Sequence, residues 1–130
     1  MTTNTDWPKG IDAITLFAED LEATRDFYRH VFGLPVKFED EASAVFDFGN
    51  VLVNLLRTSA APELITPAPI APPETGARMQ FTIQVDDVDA MCEELTRCGV
   101  TLLNGPMDRP WGIRTASFRD PAGHIWEIAK

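Results

Sequence analysis

The sequence predicts an α+β fold that is built from two tandem βαβββ modules. Three observations lead to this prediction. The chain has 130 residues, the length of one ordinary domain. Short strand-like runs surround two amphipathic stretches with helical spacing, one in each half of the chain. Fragments of the first half recur in order in the second half, so the two halves are expected to fold alike.

Composition and charge exclude several classes of protein. Hydrophobic residues make up 45% of the chain and charged residues 24%, a balance that is typical of globular domains rather than disordered chains. The net charge of −9 repels phosphate backbones, so no nucleic-acid partner is expected. No apolar run approaches the roughly 20 residues of a membrane helix, and no secretory signal is recognised. Cys92 and Cys98 match no zinc-site or disulfide spacing, which favours a reducing cytoplasm.

The first module begins with a strand over Ile11–Ala18, where apolar and β-branched residues are mixed. Asp20 suits the N-cap of a helix, and Gly33 followed by Pro35 ends that helix. The apolar face of the helix recurs at helical spacing through Leu21, Thr24, Phe27, Tyr28, Val31 and Phe32. Three further strands are predicted at Val36–Glu39, Ala44–Phe48 and Val51–Arg57.

A proline-rich segment separates the modules. Five of the ten prolines lie between Thr58 and Gly76, and proline breaks both helices and strand ladders. The segment is therefore expected to be irregular. Whether it acts as a lid or as a passive connector stays open at this point. We place module one at about residues 10–57, the linker at 58–77 and module two at 78–130, all within a single domain 1–130.

The second module repeats the pattern of the first. A strand over Arg78–Val85 precedes a helix that is capped by Asp86 or Asp87 and ended by Gly99. Further strands are predicted at Val100–Leu103, Ile113–Arg119 and His124–Ala129. The segment Asp20–Ala23 aligns with Asp87–Ala90 at an offset of 67 residues, and Val51–Leu55 aligns with His124–Ile128 at an offset of 73.

Several fragments in this order resemble the vicinal oxygen chelate superfamily of glyoxalase I, bleomycin resistance proteins and extradiol dioxygenases. The resemblance covers Gly10 to Lys130. It is carried by Ala18-Glu19-Asp20-Leu21-Glu22, Phe27-Tyr28, Phe32-Gly33-Leu34, Val85-Asp86-Asp87-Val88-Asp89-Ala90, Pro110-Trp111-Gly112 and Phe118-Arg119-Asp120-Pro121-Ala122-Gly123. It implies that each module's sheet bends into a half-cup and that two half-cups enclose a pocket.

The resemblance also implies four metal-ligand positions, two in each module. Carried over by spacing, they are Ala13, Asn54, Gln80 and Glu127. Alanine cannot ligate, and neutral amides are poor ligands for transition metals. The only histidines, His30 and His124, fall elsewhere. We therefore expect no metal and no cofactor, and the chain is closest in character to the metal-free branch of the superfamily, that of the bleomycin resistance proteins.

Strand alternation sorts side chains onto two faces. The face of the ligand positions is rich in amides, hydroxyls and one carboxylate. The opposite face is apolar and is expected to lie under the helices, through Ile14, Leu16, Val53, Leu55, Phe81, Ile83, Val85, Trp126 and Ile128. The candidate ligand-binding residues are Phe17, Phe46, Phe48, Asn54, Gln80, Trp111, Arg114 and Glu127.

Some of these candidates have open alternatives. Phe46 and Phe48 share one face, whereas the face of Phe38 is uncertain. Arg114, like Arg119, binds either a ligand anion or the abundant acidic side chains. Trp7 is a candidate contact to a partner subunit, and no residue is assigned as catalytic, Glu127 being a weak candidate base.

The leading hypothesis is a metal-independent, cytoplasmic homodimer that sequesters an aromatic or largely apolar small molecule, such as an antibiotic or toxic metabolite, and so confers drug resistance. The alternative is a glyoxalase-like lyase, isomerase or related enzyme that uses Glu127 as a base or a weakly bound metal. A third possibility is a partner-binding module with a vestigial cup.

Overall fold

The computed structural model describes residues 8–130, so Trp7 lies outside the described residues. Module one forms a four-stranded mixed sheet with strand order β1-β4-β3-β2 and one long helix. Strand β1 runs parallel to β4, and the other neighbours are antiparallel. Its elements are β1 (Ala13–Ala18), α1 (Leu21–Val31), β2 (Val36–Glu39), β3 (Ser43–Asp47) and β4 (Leu52–Arg57).

Module two repeats this architecture with strand order β5-β8-β7-β6, and β5 again runs parallel to β8. A short helix α2 (Pro62–Ile65) lies between the modules. The elements of module two are β5 (Gln80–Gln84), α3 (Val88–Arg97), β6 (Leu102–Asp108), β7 (Arg114–Arg119) and β8 (Ile125–Ala129). The predicted α+β class with two tandem βαβββ modules is confirmed.

Both long helices begin at the predicted caps. The Asp20 carboxylate accepts the backbone N–H of Ala23 at 3.0 Å, and Asp87 accepts that of Ala90 at 3.1 Å. Each cap satisfies one of the N–H groups that a helix start leaves without a partner. Of the two candidates for the second cap, the structure selects Asp87. None of the helices in the described part of the chain is long and apolar enough to cross a membrane.

The linker and β6 differ from the prediction. Pro62 stands in the first turn of α2, where proline is tolerated because the missing N–H would have had no helical partner. Strand β6 continues through Gly105 to Asp108, although the sequence predicts its end at Leu103. Its pairing with β7 is irregular on both sides of Asn104, and Gly105 has a φ of +87°. An irregular edge strand accommodates a Gly-Pro pair that would disrupt a regular central strand.

The apolar faces of the two sheets share one core. All nine residues predicted to lie under the helices belong to this core or pack against it. Phe48 of module one stacks on Trp126 of module two, with ring centroids 5.4 Å apart and planes at 14°. The cores of the two modules are thus continuous, and the opposite face of each sheet is turned away from this shared core.

A buried polar triad connects the modules inside this core. The Tyr28 hydroxyl on α1 donates to Asp120 Oδ2 at 2.8 Å and accepts from Trp126 Nε1 at 3.1 Å. Asp120 also accepts the backbone N–H groups of Ala122 and His124. Burial raises the pKa of Tyr28, with the Asp120 charge adding to the effect, and burial also raises the pKa of Asp120 above its ordinary value.

Candidate functional site

The outward face of the second sheet carries hydrogen-bonding side chains in register across all four strands. Thr82, Glu127, Ser117 and Asn104 are successive Cα partners on β5, β8, β7 and β6, so their side chains lie on one face. We call this surface the module-two cup face. It comprises Gln80, Thr82, Gln84, Asn104, Thr115, Ser117, Ile125, Glu127 and Ala129.

Glu127 lies near the middle of the module-two cup face and is half-buried. Its Oε1 accepts a hydrogen bond from Thr82 Oγ1 at 3.0 Å. Buried Ile125 and Ala129 flank it along the same strand and supply apolar surface. The carboxylate is therefore held by a neighbouring hydroxyl and can accept further hydrogen bonds from a ligand.

Arg109 also lies on the module-two cup face, on the side of β6 and β7, whereas Glu127 is bonded on the side of β5. Its Nε donates to Thr115 Oγ1 at 2.9 Å, and its Nη2 donates to Asn104 Oδ1 at 3.3 Å. The guanidinium carbon is 5.9 Å from the ring centroid of Trp111, within the range of a cation–π contact. Trp111 itself is 69% exposed, which leaves an aromatic surface beside a fixed cation.

The corresponding outward face of the first sheet is more apolar. The partners Thr15, Asn54, Val45 and Phe38 form one row across it, and Phe17 and Leu56 belong to the next. We call this surface the module-one cup face. It comprises Ala13, Thr15, Phe17, Phe38, Val45, Leu52, Asn54 and Leu56.

Two features of the module-one cup face suit ligand binding. Asn54 Nδ2 donates to Thr15 Oγ1 at the long distance of 3.5 Å, while the buried Asn54 Oδ1 has no hydrogen-bond partner among the described residues. Such an acceptor is stabilised by any donor that reaches it. Phe38 lies on this face with 56% of its surface exposed, which settles the face that the sequence left uncertain.

Three predicted site residues lie elsewhere. Phe46 and Phe48 share a face as predicted, but it is the core face: Phe46 is fully buried 5.5 Å from the Tyr28 ring, and Phe48 stacks on Trp126. Arg114 binds both oxygens of Asp89 on α3, at 2.9 and 3.0 Å, and also Asp108. Arg114 thus pairs with acidic side chains, the second of the two alternatives that the sequence left open.

The remaining predicted residues are divided between the two faces. Phe17 and Asn54 lie on the module-one cup face, and Gln80 and Glu127 lie on the module-two cup face, with Trp111 beside it. No hydrogen bond joins the two faces within residues 8–130. The two faces belong to two different four-stranded sheets, one in each module. Sequence reasoning missed Arg109, since β6 was expected to end before the strand pairing that brings Arg109 to this face.

The side chains at the four positions that the resemblance predicts as metal ligands do not fit a transition metal. They comprise one methyl group, two neutral amides and one carboxylate, divided between the two cup faces. The searched residues 8–130 contain no group of three or more His, Cys, Asp and Glu side chains placed to hold a metal ion. His124 Nε2 lies 2.9 Å from the carbonyl oxygen of Phe17, so this imidazole is engaged with the backbone.

The proline-rich linker adjoins one of these faces. It forms one wall of a pocket of about 560 Å³ whose other walls include Phe17, Met79 and His124. This volume lies within the range of small-molecule pockets. Phe17 thus contributes to both the pocket and the module-one cup face, and the linker is placed beside the candidate site.

Comparison with protein families gives one match that spans most of the chain. The model described as the Glyoxalase/Bleomycin resistance protein/Dioxygenase superfamily matches residues 10–128. Among curated proteins, the uncharacterized protein YraH of Bacillus subtilis is 34% identical over 122 residues, which cover 90% of this chain and 94% of YraH. The metallothiol transferase FosB of Lysinibacillus sphaericus is 27% identical over 120 residues, which cover 92% of this chain and 81% of FosB.

Solved structures show the same architecture. A glyoxalase/bleomycin resistance protein/dioxygenase from Nocardioides superposes with a TM-score of 0.83 at 26% identity, covering 96% of this chain and 85% of that one. A lactoylglutathione lyase from Agrobacterium tumefaciens gives a TM-score of 0.75 at 25% identity, and the match covers 94% of this chain and 93% of the lyase. The relatives that match thus include named enzymes as well as proteins described only by their family.

Proposed function

The chain belongs to the glyoxalase/bleomycin resistance protein/dioxygenase superfamily, and we propose that it is a metal-independent binding protein for an aromatic small molecule. The observation that carries the proposal is the composition of the two cup faces. They combine exposed aromatic rings and buried apolar residues with hydrogen-bonding groups, and they lack the donors of a metal centre among the residues at the family positions. Of the predicted set, the proposal uses Phe17, Asn54, Gln80, Trp111 and Glu127.

Two residues that the sequence did not assign complete the proposed site. Phe38 offers an exposed ring on the module-one cup face, and Arg109 supports Trp111 on the module-two cup face. Aromatic rings contribute large contact areas and prefer stacked or edge-on ring partners. Ligand pockets are typically apolar with a few placed polar groups, which is the composition found here.

We further propose that a homodimer completes the cup. Strands β1 and β5 each lie at one edge of their sheet, as β2 and β6 do at the other edge, and each of these strands has only one strand partner in the described chain. Unpaired edges and outward half-cups favour association with a second copy. In this arrangement the module-one cup face of one protomer closes over the module-two cup face of its partner. The free thiols Cys92 and Cys98 support the proposed cytoplasmic location and are inconsistent with a disulfide scaffold.

The enzyme alternative centres on Glu127 and is favoured by the identity with FosB, which is named a metallothiol transferase. A general base must reach the proton that it removes, and Glu127 is available on the cup face. We propose binding rather than catalysis because the three other family ligand positions carry a methyl group and neutral amides. Sequestration of an aromatic antibiotic or toxic metabolite is the biological role that this chemistry supports best.

A screen of aromatic natural products by tryptophan fluorescence quenching, followed by calorimetry, tests the proposal. Trp111→Phe is the optical control, because Trp126 also fluoresces. We expect a ligand with a Kd below about 100 μM that is recovered unchanged after incubation. If no compound binds in that range, or if a product forms and its formation is lost in Glu127→Gln, the binding-protein proposal is wrong.

A further inference from the structure

We infer that the ligand of the module-two cup face is an aromatic acid whose anionic group binds Arg109. This inference rests on the proposed function and specifies its ligand class. It starts from a comparison of the arginines in the described part of the chain. Four of them are half-buried: Arg25, Arg57, Arg109 and Arg114.

Three of these four arginines are neutralised within the chain. Arg25 pairs with Asp26 and Glu39, Arg57 pairs with Glu22, and Arg114 pairs with Asp89 and Asp108. No carboxylate among residues 8–130 lies within 4.0 Å of the Arg109 guanidinium, although the chain has 20 acidic residues and only 11 basic ones. Arg109 is therefore the half-buried cation whose counter-ion the described chain does not supply.

The hydrogen bonds of Arg109 hold the guanidinium in place without neutralising it. Thr115 Oγ1 and Asn104 Oδ1 are both neutral acceptors, and they occupy only part of the five-donor fork. A fixed guanidinium with free N–H groups matches the geometry of a carboxylate. Since Thr115 is fully buried, the acceptor that orients Arg109 is itself held in the sheet.

The neighbouring groups define the rest of the ligand. The Trp111 ring lies 5.9 Å from the guanidinium, so an aromatic ring attached to the bound carboxylate would lie beside the indole. Glu127 lies on β8 and accepts a hydrogen bond from Thr82 on β5. Arg109 instead donates hydrogen bonds to Thr115 on β7 and Asn104 on β6. Neighbouring strands are about 4.8 Å apart, so the Glu127 carboxylate and the Arg109 guanidinium are separated by roughly 10 Å across the sheet. A hydrogen-bond donor at the far end of the ligand would reach Glu127.

A matched pair of probes tests the inference. The compound 6-hydroxy-2-naphthoate has a fused aromatic ring with a carboxylate at one end and a hydroxyl donor at the other. In 6-hydroxy-2-naphthamide a neutral amide of nearly the same shape replaces the carboxylate, so that the negative charge and one acceptor oxygen are lost. We expect calorimetry on the full chain at pH 7 to show at least about tenfold tighter binding of the carboxylate than of the amide.

Three variants identify the residue responsible. In Arg109→Gln the carboxylate should lose at least about tenfold in affinity, while the amide keeps its affinity within about twofold and thereby reports an intact site. Arg109→Lys retains the positive charge but not the forked guanidinium, so its affinity for the carboxylate should lie between those of the wild type and Arg109→Gln. Arg29→Gln removes the same charge from an exposed position on α1 and should leave both affinities unchanged.

The outcomes separate this inference from the proposed function. Equal affinity for the two probes, or an equal loss in Arg109→Gln and Arg29→Gln, overturns the inference and leaves a neutral aromatic ligand as the proposed class. Binding of neither probe also overturns it, and the broader screen of natural products then decides the proposed function on its own.

Discussion

Removal of the Tyr28 hydroxyl should destabilise the protein as a whole, because this group joins the two modules. The hydroxyl is a donor to Asp120, 92 positions away, and an acceptor for Trp126, 98 positions away. Tyr28 and Trp126 are 0% and 3% exposed, and Asp120 is 4% exposed. Water therefore cannot replace the missing hydroxyl without reorganisation of the core.

The magnitude follows from the two contacts that Tyr28→Phe would break. A hydrogen bond to a charged group contributes about 1.5–3 kcal/mol, and a buried donor left without a partner costs about 1–3 kcal/mol. Partial relaxation reduces the sum, so we expect a loss of about 3 kcal/mol in the free energy of unfolding. For a domain of this size the melting temperature should fall by about 10 °C.

Urea denaturation followed by circular dichroism measures this loss, with the change read from the midpoint at constant m-value. A double-mutant cycle with Asp120→Asn isolates the interaction between the two side chains. A loss below about 0.5 kcal/mol in Tyr28→Phe, or strictly additive effects in the cycle, would refute the reasoning that the triad joins the modules.

Three further predictions follow from the structure. Burial raises the pKa of Asp120 in the native state, so its contribution to stability should decrease as pH rises from about 4 toward neutral. Urea titrations at successive pH values should therefore show that the stability of the wild type falls over that interval relative to Asp120→Asn. A difference that is independent of pH would contradict this. Gly105→Ala should cost about 2–3 kcal/mol in unfolding free energy, because a Cβ there would lie 2.5 Å from the carbonyl oxygen of Thr115. Gly99 has a similar φ but free space around it, so Gly99→Ala should cost only about 1 kcal/mol. Equal losses would show that backbone strain, and not the steric clash, accounts for the loss at Gly105. Light scattering at micromolar concentration should give twice the chain mass of 14.4 kDa, and a monomer would be inconsistent with a cup completed by a second copy.

Most of the fold could be predicted from the sequence, because the relevant signals are local and repeated. Aspartate caps, helical periodicity and glycine stops each depend on a few neighbouring residues, and the internal repeat supplies every signal twice. Strand β6 is the exception: Gly105 and Pro106 are typical of a strand end, but irregular pairing at the sheet edge accommodates both.

The candidate site could be predicted only in part. Strand alternation correctly grouped the outward positions, since the period of two is fixed by the backbone. It could not assign Phe46, because a shift of one residue exchanges the two faces of a strand. Arg109 acquires its contacts from residues on β6 and β7, and such pairing depends on a register that composition does not reveal.

Calorimetry on chelator-treated protein tests the central claim most directly. The ligand found in the aromatic screen would be titrated into metal-free protein and into the same protein with one equivalent of zinc or manganese, and the Trp111→Ala variant would be titrated in parallel. Metal-independent binding predicts the same Kd with and without metal and a loss of at least about 2 kcal/mol in Trp111→Ala. Binding that requires the metal, or that survives intact in Trp111→Ala, would contradict the account.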